Sequence, residues 1–195
     1  MSTEAPPNKS PEKKERRRVQ SLVLVHTGDG KGKSSSAFGV VIRSVARNWN
    51  VAVIQFLKSG RWNTGEEKIC REKLGVDWWA IGEGFSWESE DLSEDEAVAQ
   101  AAWAHAKECI ASGEYQLVVL DEVTYPANWG WISKEEIVSA VKGRPEKTNV
   151  VITGRNAPPE FVEVADTVTE MRNVKHAYEK GIVAKKGIDL SLIHI

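Results

Sequence analysis

The segment Thr27-Gly28-Asp29-Gly30-Lys31-Gly32-Lys33-Ser34 lies between an apolar run at residues 22–25 and a stretch with helical periodicity. A short apolar run that ends at a glycine-rich turn is typical of a buried strand. Apolar residues then recur at i, i+3, i+4 and i+7 and give one apolar helix face: Phe38, Val41, Ile42 and Val45. Strand, glycine-rich loop and helix in this order predict a phosphate-binding loop, because backbone N–H groups and the positive helix end face the same anion.

The chemistry of this loop follows from its residue types. Small residues let the chain pass close to phosphate oxygens, since a Cβ at those positions would clash or forbid a positive φ. We expect Lys33 to bridge the outer phosphates and the hydroxyl of Ser34 to ligate Mg²⁺. The segment departs from the pattern G-x-x-x-x-G-K-[ST] at one position, where Thr27 replaces the first glycine and Gly28 follows it.

Further apolar runs alternate with predicted helices along the chain. The runs at residues 51–57, 117–120 and 150–152 indicate buried strands. Two capping-box patterns, Ser93 with Glu96 and Ser133 with Glu136, precede apolar helical periodicity, and Gly113 can end the first of these helices. Continuous apolar strands that alternate with helices predict an α/β, P-loop NTPase-like domain of RecA type, with a mostly parallel sheet covered on both faces.

Composition narrows the class of protein. The chain has 195 residues, a formal net charge of −2 and 41% hydrophobic residues, which fits one globular domain and does not favour nucleic acid or a membrane as partner. No apolar run is long enough to span a bilayer, and the N-terminus does not resemble a secretory signal. Cys70 and Cys109 lack the spacing of a disulfide framework or metal site. We therefore expect a cytoplasmic protein.

An acidic pair follows the strand at residues 117–120. Asp121 and Glu122 stand where an acidic element normally faces the magnesium ion of a phosphate-binding loop across the sheet edge. Mg²⁺ keeps several waters and bridges phosphates, so it needs few protein ligands. Together with the loop, the pair predicts a protein that binds ATP or GTP with Mg²⁺, without identifying the bond that is broken.

The loop at residues 27–35, which ends in Ser34-Ser35, resembles the T-G-x-G-K-G-K-[ST]-[ST] loop of the ATP:corrinoid adenosyltransferases of the bacterial cobalamin pathway. In that family threonine is the norm at the first position. The resemblance covers about residues 22–189. Six further blocks follow in family order: Val53-Ile54-Gln55-Phe56-Leu57-Lys58, Trp62 with Gly65-Glu66, Gly84-Phe85-Ser86-Trp87, Leu120-Asp121-Glu122-Val123-Thr124-Tyr125, Ile152-Thr153-Gly154-Arg155 and Val174-Lys175-His176-Ala177.

The resemblance implies attack by the Co(I) of a corrinoid on the ribose C5′ of ATP, with triphosphate as the leaving group. It implies ATP, Mg²⁺ or Mn²⁺ and a corrinoid at one site. The loop from Thr27 to Ser35 then binds the triphosphate, and Lys33 stabilises its charge. Ser34 and Glu122 ligate the metal, with Asp121 either a ligand or a group behind one. Arg155 adds a cation near the phosphates or is a surface residue.

Two aromatic residues match the G-F-[ST]-W block of the family. Co(II) becomes easier to reduce when its lower axial ligand is removed, and an apolar wedge below the corrin would do this. We expect Phe85 and Trp87 to form that wedge, the alternative being that they pack on the domain. Ligation by His26, His105 or His176 would oppose such a reduction, so structural roles are expected for these three residues.

The remaining expectations concern the ends of the chain and its partners. Residues 1–20 are basic and proline-rich and form a flexible arm, residues 21–189 form the adenosyltransferase domain, and residues 190–195 read like a translated sequencing adapter. The resemblance implies a homodimer, in which the arm can close over the other subunit's site, and a reduced flavoprotein as electron donor. Two rival functions remain: a P-loop ATPase or kinase that forms ADP, and a non-catalytic nucleotide-binding regulator.

Overall fold

The computed structural model describes residues 17–57, 64–80 and 92–188. The strands are β1 (Val23–Thr27), β2 (Val51–Gln55), β3 (Asp77–Ala80), β4 (Leu117–Asp121), β5 (Asn149–Thr153) and β6 (Thr167–Glu170). The helices are α1 (Lys33–Val45), α2 (Gly65–Leu74), α3 (Leu92–Ser112), α4 (Thr124–Asn128), α5 (Lys134–Lys142) and α6 (Pro159–Val164), followed by a 3₁₀-helix at Ala177–Lys180.

The described strands form one sheet in the order β3-β2-β4-β5-β1-β6, and every neighbouring pair is parallel. All strands therefore end at the same side of the sheet, which we call the carboxyl edge; the opposite side is the amino edge. β5 lies between β1, which leads into the phosphate loop, and β4, which ends in Asp121. This arrangement confirms the predicted α/β, P-loop NTPase-like fold with a parallel sheet.

Alternate residues of each central strand enter two separate hydrophobic cores. In β4, for example, Val118 and Leu120 belong to one core, and Leu117 and Val119 belong to the other. Both sets are buried, which is why these strands read as continuous apolar runs. One core is covered by α1 and α2, and the other by α3, α5 and α6. Parallel crossovers are right-handed, so connections that run in opposite directions along the sheet place their helices on opposite faces.

Most of the predicted elements are present, with shifted ends. Ser133 caps α5 by accepting a hydrogen bond from the Glu136 N–H at 3.2 Å, as its capping box predicts. Gly113 follows α3 with a φ of 71°, which confirms the predicted helix end. α3 begins at Leu92, so Ser93 lies inside the helix instead of before it. No helix within the described ranges is long and apolar enough to cross a membrane.

Candidate active site

The phosphate loop requires glycine at two positions because of its backbone shape. Gly28 has a φ of 95° and Gly32 a φ of 109°, values that side chains with a Cβ rarely adopt. Gly32 turns the chain directly into α1, which begins at Lys33. The sequence-based reading of this segment as the turn between β1 and α1 is confirmed.

The segment that follows β6 forms a wall behind the loop. The Gly30 N–H donates to the Met171 carbonyl at 2.7 Å, and the Met171 N–H donates to the Thr27 carbonyl at 2.7 Å. A Cβ on Gly30 would lie 2.8 Å from the backbone carbonyl of Arg172, and one on Gly28 would collide with the Met171 carbonyl. Gly28 and Gly30 are therefore also required because protein backbone packs directly behind the loop. The sequence does not indicate this additional reason.

Thr27 has a structural reason to replace the first glycine of the usual pattern. It is the last residue of β1, an extended position that accepts a Cβ. Its Oγ1 accepts a hydrogen bond from the Ala157 N–H at 3.0 Å, which ties the loop to the segment after β5. A glycine would lose this link.

The first turn of α1 is built to receive an anion. No side chain caps this helix, and its first turn carries no acidic residue. The Lys33 Nζ donates to the carbonyls of Gly28 and Gly30, each at 2.8 Å, so the ammonium group lies within the loop. Uncapped N–H groups, the positive helix end and a lysine charge all favour bound phosphate.

The charges around Lys33 make its environment responsive to a ligand. Burial lowers the pKa of Lys33, and the positive charge of Arg155 lowers it further. The carboxylates of Glu122, Asp29 and Asp121 act in the opposite direction and raise that pKa. A polyanion bound in the loop would add negative charge and favour the ammonium form.

A cavity of about 750 Å³ opens in front of the loop and has two kinds of wall. Its polar wall includes Lys33, Ser34, Glu66 and Glu122, and Lys31 and Ser35 also line it. Its apolar wall is formed by residues of α1, α2 and the C-terminal segment: Phe38, Ile42, Ile69, Leu74 and Ile188. The volume is within the usual range of about 300–1,000 Å³ for small-ligand sites.

The two carboxylates of the acidic pair have different surroundings. Glu122 lines the cavity, whereas Asp121 is fully buried at the end of β4. Both oxygens of Asp121 accept hydrogen bonds, one from Gln55 Nε2 at 2.8 Å and one from Thr153 Oγ1 at 2.7 Å. The structure therefore places Glu122 at the same cavity as the loop, and Asp121 is buried behind Glu122.

Arg155 lies just beyond β5 and is exposed. Its carbonyl accepts a hydrogen bond from Thr124 Oγ1 at 2.7 Å, which links the ends of β4 and β5. A Cβ on Gly154, whose φ is 141°, would collide with the same Thr124 hydroxyl. This close approach places the positive charge of Arg155 near enough to lower the pKa of Lys33.

Phe85 and Trp87, predicted to form the wedge, lie outside the described residues. The three histidines considered as cobalt ligands lie within them, and none is among the residues that line the cavity. His26 is buried, which lowers its pKa. His105 packs edge-on against Trp79 with ring centroids 4.3 Å apart, and His176 Nδ1 accepts from the Tyr178 N–H at 3.1 Å.

The sequence reading missed several residues that shape the site. Gln55 and Thr153 hold Asp121, and Met171 forms the wall behind the loop. A polar residue inside an otherwise apolar strand is a usable signal for Gln55, which is only 1% exposed. β6 carries no comparable signal, because all four of its residues are exposed and three of them are polar.

Fold and site together define a P-loop nucleotide-binding protein. An uncapped helix follows β1 and the phosphate loop, and β4, which ends in Asp121, is separated from β1 by a single strand, β5. The family described as ATP:corrinoid adenosyltransferase BtuR/CobO/CobP matches residues 19–190. The chain belongs to this family, and it is an enzyme of adenosyl transfer from ATP to a corrinoid.

Individual relatives agree with this assignment over most of their length. The corrinoid adenosyltransferase of Pseudomonas aeruginosa is 44% identical over 171 residues, which cover 87% of this chain and 84% of that protein. The corrinoid adenosyltransferase CobA of Salmonella typhimurium is 41% identical over 170 residues, or 87% and 86% of the two chains. The corrinoid adenosyltransferase of Escherichia coli K12 is 39% identical with the same coverage, 87% and 86%.

Proposed function

We propose that the cavity holds the triphosphate of ATP on the phosphate loop and presents the ribose C5′ to a Co(I) corrinoid. The cobalt supplies the electron pair of the new Co–C5′ bond and is oxidised to Co(III). The C5′–O bond breaks, and its electron pair leaves with intact triphosphate. The observation that carries this proposal is that Lys33, Ser34 and Glu122 line one cavity at the uncapped start of α1.

The protein's main task in this reaction is to stabilise negative charge that grows on the leaving group. The loop from Thr27 to Ser35 surrounds the triphosphate with backbone N–H groups, and Lys33 adds a positive charge. Arg155 adds a second cation from the end of β5. The loop holds a leaving group and activates no water molecule, so the reaction needs no residue that positions a nucleophilic water.

The donor atoms at the cavity suit a hard divalent cation. The Ser34 hydroxyl and the Glu122 carboxylate are oxygen ligands of the kind that Mg²⁺ and Mn²⁺ take, and they line the same cavity. We therefore assign the cation to Ser34, Glu122 and the phosphates, with Asp121 behind Glu122; when bound, it neutralises charge on the triphosphate.

The other assignments rest on the family resemblance. We propose that Phe85 and Trp87 form an apolar wedge that displaces the lower ligand of cobalt and eases its reduction. A reduced flavoprotein then supplies the electron. We also propose a cytoplasmic homodimer in which the basic arm at residues 1–20 closes over the partner's phosphate site.

Anaerobic incubation with ATP, Mg²⁺ and chemically reduced cobalamin tests the reaction. We expect the absorption bands of Co(I) to give way to those of a light-sensitive alkyl–cobalt product. A regulator that only binds nucleotide would leave the bands unchanged, and an ATPase or kinase would form ADP without a Co–C bond. Absence of the light-sensitive product overturns the proposal.

A further inference from the structure

A line of hydrogen bonds crosses four neighbouring strands next to the cavity. Trp78 Nε1 on β3 donates to Gln55 Oε1 on β2 at 3.1 Å, and Gln55 Nε2 donates to Asp121 Oδ2 on β4 at 2.8 Å. Thr153 Oγ1 on β5 donates to Asp121 Oδ1 at 2.7 Å. The line ends where the Glu122 N–H donates to Thr153 Oγ1 at 2.9 Å. We call these four side chains, Trp78, Gln55, Asp121 and Thr153, the relay.

Each bond of the relay fixes the direction of the next. An indole N–H can only donate, so Trp78 requires the oxygen of the Gln55 amide to face it. The Gln55 NH₂ group must then face Asp121, whose carboxylate accepts on both oxygens. The Thr153 hydroxyl donates its hydrogen to Asp121. The oxygen of the same hydroxyl is then available to accept a hydrogen bond from the Glu122 N–H. No member of the relay is more than 3% exposed, so water offers no alternative partner.

The relay ends on a backbone conformation that needs support. Glu122 has a φ of 64°, in the left-handed region where a residue with a Cβ loses about 1–2 kcal/mol. This conformation turns the chain away from β4 and places Glu122 at the cavity while Asp121, one residue earlier, stays buried. Thr153 contacts the N–H of this strained residue, so the relay stabilises the position from which Glu122 faces the phosphate loop.

We infer that Gln55, Asp121 and Thr153 are positioning residues that act on the bound cation through the backbone of Glu122. This inference rests on the proposed role of Glu122 as a metal ligand. Asp121 then contributes to cation binding by holding the Thr153 hydroxyl in place. Its own two oxygens accept hydrogen bonds from Gln55 and Thr153. Partners behind a metal ligand typically change metal affinity by about 10- to 100-fold when they are removed.

The test measures how much Mg²⁺ strengthens ATP binding, by calorimetric titration of the full chain with ATP in Mg²⁺ and in EDTA. Thr153→Val removes the hydroxyl and keeps the side-chain size. We expect the gain in ATP affinity caused by Mg²⁺ to fall about tenfold. Thr153→Ser restores the hydroxyl and should restore most of the gain. A gain that is unchanged in Thr153→Val overturns the inference.

Thr148→Val is the matched control. Thr148 is 1% exposed, and its Oγ1 donates to the Tyr115 carbonyl at 3.0 Å at the amino edge of the sheet. This variant also loses a buried hydroxyl next to β5, yet its Mg²⁺-dependent gain should equal that of the unchanged chain. An equal fall in both variants would show a general packing effect and contradict the inference.

Two more variants separate the possible failures. If Glu122→Gln abolishes the gain while Thr153→Val leaves it intact, the relay is wrong and the proposed role of Glu122 stands. If Glu122→Gln leaves the gain unchanged, both are wrong. If Thr153→Val does not fold, Gln55→Leu interrupts the relay two bonds earlier. We expect the gain to fall there as well, by less than in Thr153→Val because the change lies further from Glu122, and no loss would overturn the inference.

Discussion

Aspartate and threonine side chains form hydrogen bonds at both edges of the sheet, but only those at the carboxyl edge lead to a residue that lines the cavity. At the carboxyl edge, Asp121 and Thr153 form hydrogen bonds that end on Glu122, which lines a cavity. At the amino edge, the Tyr115 hydroxyl donates to Asp77 at 2.9 Å, and Thr148 donates to the Tyr115 carbonyl. Those bonds join the starts of strands to one another, at the side of the sheet away from the cavity.

Function in this fold resides at the carboxyl edge of the sheet. A parallel sheet brings positive helix ends to its carboxyl edge, so polar groups there can meet an anion. The amino edge lacks that field, and its polar groups join the connections that enter the strands. Changes at the carboxyl edge should therefore alter catalysis more than stability, and changes at the amino edge should do the reverse.

Lys33→Ala should give the largest effect on activity. The variant removes a positive charge from the leaving group, so we expect kcat to fall by about 10²- to 10³-fold. Its thermal midpoint should change little, because the variant loses two hydrogen bonds to part-buried loop carbonyls but also removes a positive charge that burial disfavours. The rate of light-sensitive product formation from Co(I) cobalamin checks this. Thr148→Val, at the amino edge, should keep kcat close to that of the unchanged chain, and near-normal turnover in Lys33→Ala contradicts the comparison.

Gly30→Ala should remove ATP binding and also reduce stability. Its Cβ would lie 2.8 Å from the Arg172 carbonyl, so either the loop or the wall behind it must move, at about 1–3 kcal/mol. Gly39→Ala is the matched control, because Gly39 is inside α1 and a Cβ there meets nothing within 4 Å. It should stabilise the protein by about 0.5–1 kcal/mol and keep ATP binding. Urea unfolding and ATP titration measure both effects.

Tyr115→Phe changes a hydrogen bond at the amino edge of the sheet. The variant removes the hydrogen bond to Asp77, and we expect a loss of about 1 kcal/mol in the free energy of unfolding. kcat should be unchanged, because this bond lies at the edge away from the cavity. A clear fall in kcat at full folding would show that the two edges are coupled.

The smallest effect concerns stability at high pH. Burial raises the pKa of both Cys70 and Cys109 to about 11, from an ordinary value of 9.0. The unfolded chain therefore releases thiol protons at lower pH than the folded chain does. Stability from this source is complete below about pH 9 and falls as pH rises towards 11. Urea midpoints between pH 8 and 11 should decline, and the decline should be smaller in Cys109→Ala.

Local pattern predicted a large part of this structure. The phosphate loop and the central strands were identified from apolar runs and glycine spacing, because the physical causes of these features lie within a few residues. Ser133 was predicted as a helix cap for the same reason, since its partner Glu136 is three residues away.

The parts that could not be predicted depend on residues far apart in sequence. Thr153 meets Asp121 only because β5 pairs beside β4, and the sequence does not state that order. Met171 reaches the phosphate loop only because β6 pairs with β1. The left-handed turn at Glu122 was also missed, because it is held by a hydrogen bond from another strand and glutamate itself does not favour it.

Phosphorus NMR of the products shows directly whether the triphosphate leaves intact. During anaerobic turnover of ATP with reduced cobalamin, one intact tripolyphosphate should appear for each Co–C bond formed, because the loop holds the whole leaving group. Accumulation of ADP and orthophosphate in its place would show that the loop activates the γ-phosphate, and the roles proposed for Lys33, Ser34 and Glu122 would be wrong.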